Sequence, residues 1–191
     1  MKTEGKVKNF FKRYGYYCLA GILTVAIAST IALSVPKSEQ QPVENEVPTQ
    51  STTVTFGLPL ADFTVLKGYS AEELQYNATM NQWEAHKAYD LTSENLSVYA
   101  VLDGTVASLE TTYEDGTKVV IAHENGFKSV YSSLDENTIV NVGDKVKKGQ
   151  ELGKISNTAS EESKDGAHLH FELLKDEVKV DPSNYIAFEN K

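Results

Sequence analysis

The second half of the chain consists of short alternating segments separated by glycine turns, and this rhythm limits the folds open to it. Between residues 97 and 182, β-branched and apolar residues alternate with polar ones. The pairs Asp115-Gly116 and Asn125-Gly126 predict tight turns. We predict strands over 98–101, 105–109, 117–123, 127–131, 168–174 and 178–180. The pattern favours a mainly β domain, a small antiparallel sandwich or barrel. Outside the N-terminal apolar run, helix is expected only around residues 71–74.

The N-terminal part predicts a membrane anchor. Residues 14–35 (YGYYCLAGILTVAIASTIALSV) form a 22-residue run without charge, enough to cross a hydrocarbon core of about 30 Å as a helix. Residues 1–13 carry five Lys or Arg against Glu4 alone. By the positive-inside rule this basic tail stays in the cytoplasm and the rest of the chain lies outside. A cleaved signal peptide is the alternative, with 26–28 as a small-x-small cleavage site, although the apolar run continues past it.

Residues 36–53 predict a flexible tether, and the charge of the outer part narrows its possible partners. The stretch PKSEQQPVENEVPTQSTT is rich in Pro, Glu, Gln and Ser and has no apolar period. Folded sequence is therefore expected over 54–191.

After residue 13 the chain holds 13 basic and 26 acidic residues. Nucleic acid is excluded as an expected partner, because phosphate binding needs a basic face.

Three of the four histidines lie in two short runs that are almost eighty residues apart. His86 is followed by Asp90, and His168 by His170. A catalytic zinc site uses three protein ligands of N or O type and keeps one position open for water. Residues i and i+2 of a strand share a face, so His168 and His170 can reach one metal or its bound water. The fourth, His123, precedes an Asn-Gly turn and is interpreted as a strand-end residue.

The order of these motifs resembles the lysostaphin-type, LytM-like zinc endopeptidase domain of cell-wall hydrolases. The matching segments are His86 to Asp90 and 100–106, 119–126, 131–134, 142–153 and 166–172. Together they span about half of the chain. The resemblance implies a small antiparallel β core with a groove that ends at one zinc ion per chain.

Carried over to this chain, the resemblance implies that His86, Asp90 and His170 bind zinc and that His168 acts on the water or the oxyanion. Ser133 stands where the family has a second catalytic histidine, in Tyr131-Ser132-Ser133-Leu134. A serine hydroxyl has no useful pKa near neutrality, and the loss of one acid–base group commonly costs about 10²–10⁴-fold in rate. We therefore expect weak or no hydrolysis. An alternative is that the framework persists for folding after the metal has been lost.

The single span, the acidic domain and the lead-in 76–86 further resemble degenerate LytM-like proteins of the forespore membrane in endospore-forming bacteria. The resemblance implies a docking component that binds a mother-cell membrane protein across the space between two membranes. Two other functions stay open. One is an active endopeptidase that binds and cleaves peptidoglycan cross-bridges. The other is a regulator of another hydrolase, although such regulators usually carry coiled coils and no heptads are visible here.

Overall fold

The computed structural model describes residues 54–188 of the chain. The predicted basic tail, membrane helix and tether lie outside these described residues. Within 54–188, no helix is long and apolar enough to span a bilayer. The strands are β1 Thr64–Lys67, β2 Ser70–Asn77, β3 Gln82–His86, β4 Tyr89–Thr92, β5 Ser97–Tyr99, β6 Gly104–Thr112, β7 Gly116–His123, β8 Phe127–Leu134, β9 Lys145–Val146, β10 Glu151–Lys154, β11 Leu169–Lys175 and β12 Val178–Val180.

Antiparallel pairing dominates the domain, which confirms the predicted mainly β class. The large sheet has the order β1-β4-β11-β8-β7-β6-β9, and β12 pairs with β11 beside this path. Two further pairs, β5 with β10 and β2 with β3, form separate small sheets. The predicted turns are present, with Gly116 at φ 66° and Asn125 at φ 58°. These left-handed conformations suit glycine and asparagine.

The core follows from the alternation along the central strands. Val119 and Ile121 of β7 and Leu169 and Phe171 of β11 are fully or almost fully buried on one face. Because side chains of a strand alternate between faces, the intervening His170 points to the other side of β11. The apolar face of the sheet therefore fixes which side of β11 carries the polar groups.

The prediction of helix around residues 71–74 is wrong, because this stretch lies in strand β2. Ala, Glu and Leu are good helix formers, but propensity is a weak prior that tertiary pairing overrides. Here the turn between β2 and β3 favours a β-hairpin over a helix. The side-chain oxygen of Asn77 accepts hydrogen bonds from the backbone N–H groups of Thr79 and Met80, and Asn81 adopts φ 56°. Across the hairpin, the rings of Tyr76 and Trp83 lie 5.4 Å apart.

Candidate metal centre

Three of the sequence-predicted site residues meet where the hairpin adjoins the large sheet. His86 is the last residue of β3, Asp90 is the second residue of β4, and His170 lies in β11. Asp90 and His170 face each other across the β4–β11 pair. One ligand atom from each of these residues and one from Glu162 all lie within 4.8 Å of one another. The arrangement could hold a metal ion.

The hydrogen bond of His86 sets its tautomer. Its Nδ1 lies 3.1 Å from the carbonyl oxygen of Gly68. Because a carbonyl only accepts, Nδ1 carries the proton, and Nε2 presents a lone pair whenever the ring is neutral. This Nε2 is buried without a hydrogen-bond partner and lies 3.2 Å from Asp90 Oδ2. A histidine held through one nitrogen, with the other free, is prepared to bind a metal.

His170 is oriented in the same manner by a carboxylate. Its Nε2 lies 3.3 Å from Glu172 Oε1, and Lys179 Nζ donates to the same oxygen at 2.7 Å. Nδ1 lies 2.9 Å from Asp90 Oδ1. With the Nε2 proton donated to Glu172, Nδ1 faces the cluster as a lone pair when the ring is neutral. Glu172 is two residues beyond His170, so the strand period that linked His168 to His170 could have found it.

Asp90 is the charged centre of the cluster and has no exposed surface. Burial acts to raise the pKa of its carboxyl, but the hydrogen bond with His170 and the close approach of His86 outweigh burial and lower it. The pKa of His170 is raised well above its ordinary value: burial opposes this, and the bonds to Asp90, Glu162 and Glu172 prevail. The buried carboxylates therefore require a positive charge beside them, which an imidazolium or a cation can supply.

The sequence analysis did not identify Glu162 as a site residue. It lies in the short 3-10 helix Ser160–Asp165. Its Oε2 lies 3.1 Å from His170 Nδ1 and its Oε1 lies 3.8 Å from His86 Nε2. Burial acts to raise the pKa of this carboxyl, but His168 and His170 outweigh burial and hold it far below its usual range. No sequence spacing signals this residue, because only the fold brings the loop over the site.

His168 lies beside the cluster but contacts it through Glu162. Its Nδ1 lies 2.8 Å from the carbonyl oxygen of Gly166, and its Nε2 lies 3.1 Å from Glu162 Oε2. Only 1% of the side chain is exposed. Burial acts to lower its pKa, but the bond to Glu162 and nearby negative charge raise it. In this arrangement His168 forms an ion pair with Glu162.

Ser133 does not take the place of an imidazole in the groove. It adopts φ 61° at a point where the β7–β8 register shifts, and its hydroxyl donates to the carbonyl oxygen of Ser156 at 3.1 Å. The neighbouring Ser132 pairs with His170 and lines the groove instead. This groove has a volume of about 290 Å³, and acidic side chains form much of its wall. They are Glu84, Glu114, Asp115, Glu161, Glu162 and Glu172.

His123 lies at the end of β7, outside this site. Its Nδ1 lies 2.9 Å from the carbonyl oxygen of Asp103 and its Nε2 lies 2.7 Å from Ser129 Oγ. Both ring nitrogens are thus used inside the fold. This contact pattern agrees with the interpretation of His123 as a strand-end residue.

Comparison with known proteins assigns this β domain to a peptidase family. Residues 84–182 match Peptidase family M23, and the chain belongs to that family. The zinc-containing peptidase of Vibrio cholerae has a similar fold, with a TM-score of 0.54 and 27% sequence identity over 62% of this chain and 36% of that one.

Within the family, the chain is similar to stage II sporulation protein Q of Bacillus subtilis (strain 168), with 39% identity over 110 residues. That match covers 56% of this chain and 38% of the relative, so the chain accounts for well under half of the relative's length. The fold also matches a chain of the SpoIIQ–SpoIIIAH pore-forming complex, with a TM-score of 0.62 and 29% identity over 70% of this chain and 92% of that one.

The donor set fits the metal that the family implies. Two imidazoles and a carboxylate are the ligand types of catalytic zinc sites. The buried side-chain polar atoms without hydrogen-bond partners in residues 54–188 are His86 Nε2 and Asp90 Oδ2. Buried polar groups are almost always satisfied, so two such atoms that face each other point to a shared cation.

Proposed function

We propose that the chain is a membrane-anchored docking component of endospore formation that binds a second membrane protein across the space between two membranes. Residues 1–13 would lie in the cytoplasm, residues 14–35 would span the forespore membrane, and the folded domain would lie outside. One zinc ion held by His86, Asp90 and His170 would stabilise this domain. Hydrolysis of peptidoglycan would be weak or absent.

The observation that carries this proposal is the similarity to stage II sporulation protein Q in both sequence and fold. In the matching solved structure, SpoIIQ is in complex with SpoIIIAH. We extend that pairing to this chain, whose partner would be a SpoIIIAH-like membrane protein. The acidic outer part, the tether and the single predicted span suit a domain that is held off its own membrane to meet another protein.

The state of the groove supports docking over catalysis. When bound, zinc would lower the pKa of a water molecule toward neutrality. Proton transfer would then depend on His168, since Ser133 replaces the second imidazole. His168 is buried and bonded to Glu162 at 3.1 Å, so it is not free to serve a substrate. Both features reduce the expected rate of peptide hydrolysis.

Two surfaces suit a protein partner. Strand β1 is the terminal strand of the large sheet and pairs with β4, so its other edge can accept a strand through main-chain hydrogen bonds. The β2–β3 hairpin adds an apolar surface, defined by Leu74, Tyr76, Met80 and Trp83. Trp83 is 66% exposed, an unusual state for the largest side chain of the domain. We place the partner contact on the β1 edge and this hairpin surface.

In sporulating cells, a photo-crosslinking amino acid at Trp83 should trap one dominant membrane protein of the opposing membrane. The same amino acid at Tyr113 provides the control, because Tyr113 is also a highly exposed aromatic residue, at 80%, but lies in the β6–β7 turn. Crosslinks to cell-wall fragments alone, or equal trapping from both positions, would contradict the proposed contact. Normal sporulation after deletion of the gene would contradict the proposed function.

A second function is favoured by one specific observation. The implied zinc ligands His86, Asp90 and His170 are all present and meet in space. An active zinc endopeptidase that cleaves peptidoglycan cross-bridges is therefore the alternative, which would require His168 to leave Glu162 and act as the remaining acid–base group.

A further inference from the structure

Glu162 extends the three-ligand site of the family. We infer that its carboxylate is a fourth protein ligand, which fills the position that a catalytic site leaves open for water, and that the metal centre of this chain is a closed, structural one. The inference rests on the metal site of the proposed function and goes beyond it, because neither docking nor a missing imidazole requires the fourth position to be filled.

The distances suit four ligands around one ion. His86 Nε2 lies 3.2 Å from Asp90 Oδ2, and His170 Nδ1 lies 2.9 Å from Asp90 Oδ1. The carboxylate of Glu162 lies close to both histidines. Its Oε2 is 3.1 Å from His170 Nδ1, and its Oε1 is 3.8 Å from His86 Nε2. Tetrahedral ligands bound at the usual zinc–nitrogen and zinc–oxygen lengths are separated by about 3.3 Å. A carboxylate that acted on a metal-bound water would stand farther from the other ligands, because the water would lie between them.

The unpartnered atoms of the site provide an independent indication of an ion. His86 is 7% exposed and Asp90 is fully buried, yet His86 Nε2 and Asp90 Oδ2 have no hydrogen-bond partner. Leaving such buried atoms unsatisfied costs about 1–3 kcal/mol each. An ion within reach of Glu162 would bind both.

Glu162 is held over the site by contacts on either side of it. Asn77 Nδ2 donates to the carbonyl oxygen of Glu161 at 3.2 Å. On the other side, the backbone N–H of Lys164 donates to Thr79 Oγ1 at 3.1 Å, and Lys164 Nζ donates to the carbonyl oxygen of Ala78 at 2.9 Å. All three contacts tie the segment Ser160–Asp165 to the end of the β2–β3 hairpin. The carboxylate of Glu162 is therefore placed by the fold before any ion binds.

Charge balance also favours a ligand carboxylate. With neutral imidazoles, a divalent ion and Asp90 alone would leave a net positive charge in a buried site. Lys67 Nζ already lies 3.7 Å from Asp90 Oδ2 and 3.9 Å from Glu162 Oε1, and its side chain is only 16% exposed. Lys67 also pairs with Asp165, but an ion that kept a net positive charge beside this ammonium group would still be repelled. The carboxylate of Glu162 makes the ion and its two acidic ligands neutral as a unit.

The experiment uses the full chain purified in detergent and loaded with cobalt, whose visible spectrum reports its ligands. Acetohydroxamate is added as a probe that binds the metal only where a coordination position is open or is held by a water molecule that it can displace. We expect the spectra of the wild type and of Glu161→Gln to stay unchanged, and the spectrum of Glu162→Ala to change. Glu161→Gln is the matched control, because Glu161 is the exposed neighbour in the same segment.

Zinc affinity is measured on the same proteins by competition with a chelator. Glu162→Ala should bind zinc at least about tenfold more weakly, since even outer partners of ligands contribute roughly 10–100-fold, while Glu161→Gln should match the wild type. A wild-type spectrum that responds to acetohydroxamate would overturn the closed site while leaving metal binding intact. Equal zinc affinity in Glu162→Ala would overturn it as well. A wild type that takes up neither metal would refute the metal site of the proposed function itself.

Discussion

Replacement of Asp90 by Asn is the most direct test of the buried charge at this site. The substitution keeps the shape of the side chain and removes its charge. The carboxylate has no exposed surface and faces His86 at 3.2 Å, His170 at 2.9 Å and Lys67 at 3.7 Å. Removing one partner from a buried ionic group typically costs about 3–5 kcal/mol. Because Asn retains an acceptor for His170, we expect the lower end, about 3 kcal/mol in metal-free protein.

Thermal unfolding gives the readout. For a domain of this size, about 3 kcal/mol corresponds to a fall in melting temperature of roughly 10 °C. Zinc at about 100 times its dissociation constant should stabilise the wild type by about 2.7 kcal/mol. The melting temperature should therefore rise by a similar amount. Asp90→Asn should show both effects together, with a lower melting temperature in chelator and no rise on addition of zinc.

Asp103→Asn supplies the matched control. Asp103 forms an ion pair with Lys147 at 2.8 Å, but both side chains are largely exposed, and exposed pairs contribute little to stability. We expect this variant to melt close to the wild type and to keep the full zinc response. If Asp90→Asn proves as stable as Asp103→Asn in chelator, or if zinc still raises its melting temperature, the account of the buried cluster is wrong.

Two further predictions concern peptidoglycan hydrolysis at the candidate site and the titration of His123 at the end of β7. Peptidoglycan incubated with the purified chain should release no more soluble fragments than with a His86→Ala variant; clear release that this variant abolishes would establish the endopeptidase. Burial lowers the pKa of His123 below 6.5, against the opposing hydrogen bond to Asp103. Its contribution to stability is therefore present above pH 6.5 and is lost as the pH falls. NMR titration of the ring should give a midpoint below 6.5, and a higher midpoint would contradict its buried neutral state.

The strands, and the side chains that His86, Asp90 and His170 bring to the candidate site, could be predicted from the sequence because both depend on local rules. Alternation along β7 and β11 marked the buried face and, by exclusion, the face that carries His168 and His170. The turns were visible as Asp-Gly and Asn-Gly pairs. The two histidine runs were joined by the family order of the motifs, since spacing alone could not bring residues so distant in sequence together.

Glu162 and Lys67 could not be predicted, because neither is fixed by a local pattern. Glu162 reaches the site through contacts of its segment with the β2–β3 hairpin, and that hairpin was itself misjudged around residues 71–74. Lys67 comes from the terminal strand of the sheet, where pairing with β4 sets its position. Such residues are found only when long-range pairing is known, since helix propensity and spacing describe neighbours in sequence.

The positions of the proposed ligands along the chain would give a bound metal a further role, that of a crosslink within the domain. Asp90 and His170 are 80 residues apart, and one ion would close the whole intervening loop. In the chain-entropy description of disulfides, a crosslink over a loop of this length stabilises by about 4–5 kcal/mol. The single cysteine of the chain, Cys18, lies before the folded domain, so no intrachain disulfide can serve this purpose. The crosslink would respond to chelators and to zinc supply, and reductants would leave it intact.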